Sequence, residues 1–350
     1  MRKRSRACLR SSCGKRIRSK QGLAPTRRIL LLLFDHKLGR PLPFQDEIGD
    51  GESGNGYALR MLCANGLQFA DLARAAASIG HTYMPASAVP YLSYAFGASL
   101  ARLQRAIPRT YSRKGRRRSA FLGHDFSRTY QLRYTRPQVC PACLAVPNAR
   151  LLAVWEISLY TSCVVHGCLL ADRCVCGKGL LWRRIGPFEC SCGADLRVLE
   201  VQNADPGSLA VSSLVSAHVS TEQPEHGGIG LQDHLGALSL DTLLRLVRAL
   251  GISESTCGDD LVPGRLTRLL SSVEAVSVVN RAWARLAGQD TPVFSKPPPP
   301  WQLEELLGGA TSSDMRVLRA LLGDEEPAVG RWLKQQRWKQ LDLLEGGVDE

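Results

Sequence analysis

The sequence predicts a mainly α-helical chain interrupted by small metal-bound β-hairpin modules. Three observations carry that expectation. Apolar residues recur at helical spacing on either side of the middle of the chain. Cysteines cluster in close pairs within that middle. A run of basic residues lies between the first helical stretch and the cysteines.

The first helical stretch rests on Tyr57, Leu59 and Leu62, then Leu67, Leu72 and Ile79, with Gly66 and Gly80 as breaks. Further on, Ser93-x3-Gly97-Ala98-Ser99-x3-Leu103 resembles a helix-turn-helix. Gly97 would form the turn and Ser99 would cap the second helix. Leu100, Leu103 and Ile107 would then face one side, leaving Arg102, Arg105 and Arg109 for a major groove. An ordinary helical hairpin fits the same residues.

The basic run reads Arg109-Thr-Tyr-Ser-Arg113-Lys114-Gly-Arg116-Arg117-Arg118, six basic residues in ten. Such runs are usually solvated loops. Its place between a helix-turn-helix and a metal module favours phosphate contact instead, which fixes position and affinity but little sequence preference.

Eight of the twelve cysteines lie between Cys140 and Cys192. Close pairing inside a long chain points to metal binding rather than to a secreted disulfide framework. One set is Cys140-x2-Cys143-x19-Cys163-x2-His166. Two residues between ligands allow a tight turn to aim both at one ion. The other set is Cys174-x-Cys176-x13-Cys190-x-Cys192. Gly177 and Gly193 follow its two pairs, where a chain folding around a metal needs positive φ. Leu180, Leu181, Trp182 and Phe188 suggest a hairpin over this second site. Cys168 could replace a ligand of the first set, and a cross-braced pairing is the other alternative. Sequential pairing is preferred because each set is complete. Both sets are thiolate-rich and closed, so two structural Zn²⁺ per chain are expected rather than catalytic zinc.

After a loose Gly/Ser/His stretch at 203–234, Leu240, Leu243, Leu244, Val247 and Leu250 form an amphipathic stripe closed by Gly251. Leu266, Leu269, Leu270 and Val273 form another. Pro297–Pro300 is a stiff spacer, followed by short helices near 315–322 and 329–339. The expected organisation is a disordered basic arm (1–28), a helical N-terminal domain with the helix-turn-helix (29–120), a double zinc-finger region (121–200) and a helical C-terminal domain (201–350). At 350 residues the chain is long enough for two or three such modules.

Ile29–Phe34 gives an apolar run of six residues, too short for a signal peptide or a membrane span. A short buried strand is expected there, with no membrane partner and a reducing, cytoplasmic setting. The net charge of +13 falls to about +10 once seven thiolates and two Zn²⁺ are counted, and still favours a polyanionic partner. Acidic residues are scattered, and an Asp259–Asp260 pair reads as a turn. Without a P-loop, a dinucleotide fingerprint or a nucleophile elbow, the chain is not expected to be an enzyme.

The order of several loose motifs resembles the TniQ family. Arg40-Pro-Leu-Pro43, Gly51-Glu52-Ser53, Leu59-Arg60 and Ala64-Asn65-Gly66-Leu67 look like its opening. Arg136-x3-Cys140-Pro-x-Cys143-Leu144, Trp155, Cys163-x2-His166-x2-Leu169-Leu170, Cys174-x-Cys176 and Cys190-x-Cys192-Gly193 resemble its zinc region. The resemblance spans roughly residues 40–200. TniQ proteins, with the related TnsD proteins, select targets for bacterial transposons. The resemblance implies a helix-turn-helix and two zinc fingers that engage target DNA or a target-marking complex, RNA-guided in some members. It also implies recruitment of an AAA+ ATPase regulator, which brings in the transposase, and it permits a homodimer. It assigns the same two ligand sets. The basic arm before Arg40 and the last 150 residues lie outside the pattern. A zinc-containing transcription regulator is the competing reading. It would need an effector domain or a dimer helix, and neither is visible.

Overall fold

The computed structural model describes residues 40–69, 72, 82–220, 230–252, 268–288 and 310–321. The expectations for the basic arm, the strand at 29–34, Cys8, Cys13, Ile79, Gly80, Asp259–Asp260, Leu266, the polyproline spacer and the helix at 329–339 lie outside these residues.

Helix α1 (Gly54–Ala64) is buried from Gly54 to Leu62 except at Arg60, and its last two residues are exposed. Ser53 caps it, its Oγ accepting the Gly56 N–H at 3.1 Å. Asn65 ends it and ties it to the preceding segment. Its amide donates to Phe44 O and Met61 O and accepts the Phe44 N–H. Glu52, whose side chain is buried, takes Arg60 at 2.8 Å and Arg150 at 3.3 Å. The TniQ-like Glu-Ser and Asn-Gly motifs therefore fasten α1 into place.

Glu156 lies fully buried against the start of α1. It accepts from Ser53 Oγ and, at 3.4 Å, from Asn55 Nδ2. Burial pushes its pKa up to about 8. A carboxyl that holds its proton in the folded state and loses it near 4.5 when unfolded stabilises most at low pH. Stability should fall by about 1.4 kcal/mol per pH unit as pH rises from 4.5 to 8. Glu156→Gln should flatten that dependence in chemical denaturation measured across pH.

Helices α2 (Val89–Phe96) and α3 (Leu100–Ala106) are joined by Gly97–Ser99. The helix pair stands where a helix-turn-helix was expected, with three differences. The Ser99 side chain makes no capping bond; its N–H instead donates to both Glu47 carboxylate oxygens, at 3.0 and 2.9 Å. Leu100 is exposed rather than facing inward with Leu103 and Ile107. The second helix is only seven residues long, and Pro108 removes the N–H that would extend it.

The basic run is not a loop. It forms strands β1 (Arg109–Arg113) and β2 (Arg116–Phe121), and β3 (His124–Phe126) completes an antiparallel sheet in the order β1-β2-β3. Both turns are two-residue connections with positive φ at each position: Lys114 (50°) with Gly115 (72°), and Leu122 (54°) with Gly123 (86°). That is the hairpin geometry whose twist matches the strands.

Helix α4 (Pro141–Ala145) and the strand pair β4 (Ser162–Cys163) and β5 (Cys168–Leu169) belong to the cysteine region. Helix α5 (Pro206–Val219) occupies part of the stretch read as loose. It buries Val211, Leu214 and Val215 together with Ser208 and Ser212, so hydroxyl anchors stand beside the apolar contacts. Ser162 Oγ donates to Ser208 O at 2.9 Å, and Ser208 Oγ donates to Asn280 at 2.9 Å.

Helices α6 (Leu231–Gly236), α7 (Leu240–Gly251), α8 (Ser272–Leu286) and α9 (Ser312–Leu321) follow. The predicted α7 stripe is buried throughout. Gly251 is the last residue of α7 rather than a cap beyond it; a Cβ there would collide with Val278 O of α8, 2.0 Å away. The second expected stripe is displaced. Leu270 is buried, but Val273 is 78% exposed, because a Ser271–Glu274 capping box starts α8 only at Ser272. Ser127 donates to Asp241 of α7 through both N–H and Oγ. Residues 109–131 and the C-terminal helices therefore interlock.

Candidate metal centres and basic ribbon

Cys140 is the N-cap of α4, so the helix starts on a ligand. Its sulfur accepts the Cys143 N–H at 3.3 Å. β4 delivers Cys163, and the turn into β5 places His166, with Gly167 N–H on Cys163 O at 2.9 Å. The ring Nδ1 of His166 lies 3.6, 3.2 and 3.5 Å from the sulfurs of Cys140, Cys143 and Cys163. Cys143 and Cys163 sulfurs are 3.5 Å apart. A tetrahedron with Zn–S bonds of about 2.3 Å and a Zn–N bond of about 2.0 Å has edges of roughly 3.5–3.8 Å. These donors stand close to that spacing.

The second cluster is made of two matching turns. Gly177 N–H bonds Cys174 O and Gly193 N–H bonds Cys190 O, both at 2.9 Å. Cys174 N–H reaches Lys178 O, and Cys190 N–H reaches Ala194 O. The glycines take φ of 77° and 89°, as the sequence led one to expect. In each turn the first cysteine is buried and the second exposed, and Cys174 and Cys192 sulfurs are 3.7 Å apart.

All four ligand atoms of each set lie within 4.8 Å of one another. Both clusters could therefore hold a metal ion. Their soft donor sets, without a carboxylate, suit zinc. None of these cysteines is in a disulfide.

Cys168 stands opposite Cys163 in the β4–β5 pair, and its sulfur is 3.5 Å from that of Cys140. Burial pushes its thiol up to about 12. Arg184 is buried near the second cluster and donates to the Leu181, Gly186 and Pro187 carbonyls. Burial lowers its pKa to about 10, while the charge of Cys190 acts the other way. A cation there would offset the surplus negative charge of four thiolates if this cluster holds one divalent ion. No sequence signal marked Arg184.

The hairpin expected over the second cluster is reduced to isolated bridges such as Gly186–Glu189. Leu181 is exposed, and buried Trp182 turns toward the body, its Nε1 donating to Tyr134 O at 3.0 Å.

The eight basic residues singled out for nucleic acid separate into two groups. Arg102 and Arg105 are on α3, and Arg102 is ion-paired with Asp50. Arg109 is not on that helix. It starts β1, and with Arg113, Lys114, Arg116, Arg117 and Arg118 it belongs to the β1–β2 ribbon.

Among known protein families, the TniQ family matches residues 43–170. The match takes in the whole first cluster and ends before Cys174. No curated protein sequence matches the chain. No described helix is long and apolar enough to cross a membrane.

Proposed function

We propose that this chain, a TniQ-family and so transposition-associated protein, is a target-selection adaptor that engages target DNA and recruits an AAA+ transposition regulator. The observation that carries the reading is the coincidence of the TniQ match with the first metal cluster and the basic ribbon, all within residues 43–170. In this reading Cys140, Cys143, Cys163 and His166 hold one zinc, and Cys174, Cys176, Cys190 and Cys192 hold the other. Both ions are structural. They clamp turns that border buried apolar residues such as Trp155, Ile157, Tyr160, Leu170 and Trp182, and metal binding contributes on the order of 10 kcal/mol per ion in small zinc modules.

Affinity capture of the cognate AAA+ ATPase, with and without duplex DNA, tests the proposal. Retention of the ATPase by the intact chain, lost after zinc is stripped, is the expected result. DNA binding without ATPase capture would favour the transcription-regulator reading instead.

A further inference from the structure

The β-strand register sorts the basic residues in a way that their order along the chain does not. Arg109, Tyr111 and Arg113 of β1 lie opposite Ala120, Arg118 and Arg116 of β2. Directly opposed residues share a face. One face of the ribbon therefore carries Arg109, Arg113, Arg116 and Arg118 around Tyr111, with Lys114 at the tip. Asp125 of β3, which pairs with Ala120, is on this face too, and its carboxylate accepts the Tyr111 hydroxyl at 2.7 Å. The opposite face carries Ser119, Phe121 and Phe126, all buried, and so anchors the ribbon to the body. Arg117 belongs to that second face, beside Thr110 and Tyr134.

At the tip the anchoring stops. Ser112 to Arg117 are exposed, and beyond Arg117 the Arg113–Arg116 pair and the turn stand clear of the body. Elsewhere Arg60, Arg102, Arg133, Arg150 and Arg197 are paired with carboxylates. Arg113, Lys114 and Arg116 make no ion pair among the described residues. Arg113 and Arg116 are directly opposed like charges, an arrangement that costs stability unless an anion lies against it.

We propose that the β1–β2 ribbon, rather than helix α3, is the element this protein inserts into the major groove of duplex DNA. The proposal rests on the DNA-binding reading above and specifies the surface that does the binding. Two strands about 4.8 Å apart, flanked by side chains, fill a groove about 12 Å wide and do not enter one about 6 Å wide. Helix α3 is a poorer reader. It has seven residues, buries Leu103 and Ala106, and has Arg102 engaged by Asp50.

The test is fluorescence anisotropy on a random-sequence duplex over a salt series. It compares wild type with Arg113→Ala/Arg116→Ala/Arg118→Ala, with Arg117→Ala, and with Gly115→Val. The last keeps every charge. Its side chain meets nothing within 4 Å but is strained at φ of 72°, so it disrupts the turn alone. Zinc content and melting temperature check that each variant folds.

The triple variant should lose at least about tenfold in affinity, and its slope of log K against log salt should fall by about 2–3. Gly115→Val should lose affinity comparably, and Arg117→Ala by no more than about twofold. Glucosylated cytosines, which crowd the major groove, should block binding, and a minor-groove drug should not. Wild-type affinity in both Gly115→Val and the triple variant would overturn the ribbon while leaving DNA binding intact. So would displacement by the minor-groove drug. A wild-type chain that binds no duplex would end both readings.

Discussion

If the proposed two-zinc reading holds, serine in place of Cys163 should remove one zinc per chain and unfold the segment around β4 and β5. Cys163 stands between Cys143 and His166 in the proposed ligand set, and a hydroxyl is a poor donor for zinc in a thiolate set. Loss of the ion would forfeit on the order of 10 kcal/mol of folding energy, and the turn between β4 and β5, whose Val164 and Val165 are exposed, has no apolar contact to replace it. The damage spreads, because the neighbouring Ser162 is bonded to Ser208 and Ser212 of α5. Elemental mass spectrometry should find one zinc instead of two, limited proteolysis should cut near β4 and β5, and ATPase capture should fail. Cys168→Ser is the control: it lies against the cluster without completing it, and should keep both ions. Two zinc ions retained by Cys163→Ser would remove it from the ligand set.

Arg133→Ala should be the most damaging substitution outside the cysteines. Arg133 is 1% exposed and reaches four partners. Its guanidinium bonds Asp172 at 2.8 Å, Ser272 Oγ at 3.2 Å, Leu270 O at 3.3 Å and Arg136 O at 3.1 Å. One side chain thus joins the cysteine region to the start of α8. Its removal leaves the Asp172 carboxylate and two carbonyls without that donor, a loss of about 3–5 kcal/mol for a broken buried pair. A drop of roughly 10 °C in melting temperature is expected. Lysine should not restore it, since an ammonium cannot fork to several acceptors in one plane. A melting temperature unchanged in Arg133→Ala would mean that the junction is held elsewhere.

Metal chemistry made the two clusters legible in the sequence. Ligand spacing is set by the turn that would surround an ion, so two sets of four could be marked out from the sequence, with Cys168 and a cross-braced pairing left as alternatives. The α1 and α7 stripes were legible because their apolar residues point to a core. The sheet was not. The outer face of β1–β2 is arginine and tyrosine and its inner face begins with Thr110 and Ser112, so no apolar alternation marks the strands. The available signals were the two turns at Lys114-Gly115 and Leu122-Gly123. Helix α5 was hidden by serines that act as hydrogen-bonding anchors; Asp205-Pro206 at its start was the legible cue. The start of α8 was legible too, as Ser271-x2-Glu274, but the leucines before it suggested an earlier helix.

The reading order of the basic residues changed most. Along the chain, Arg116, Arg117 and Arg118 look equivalent. In the sheet, Arg117 faces away from the other two, and only the pairing register shows it.

The most direct test of the two-zinc architecture is the metal content of protein purified without added zinc. Two zinc ions per chain, with no other transition metal at comparable level, is the expected result. One ion or none in folded protein would contradict it.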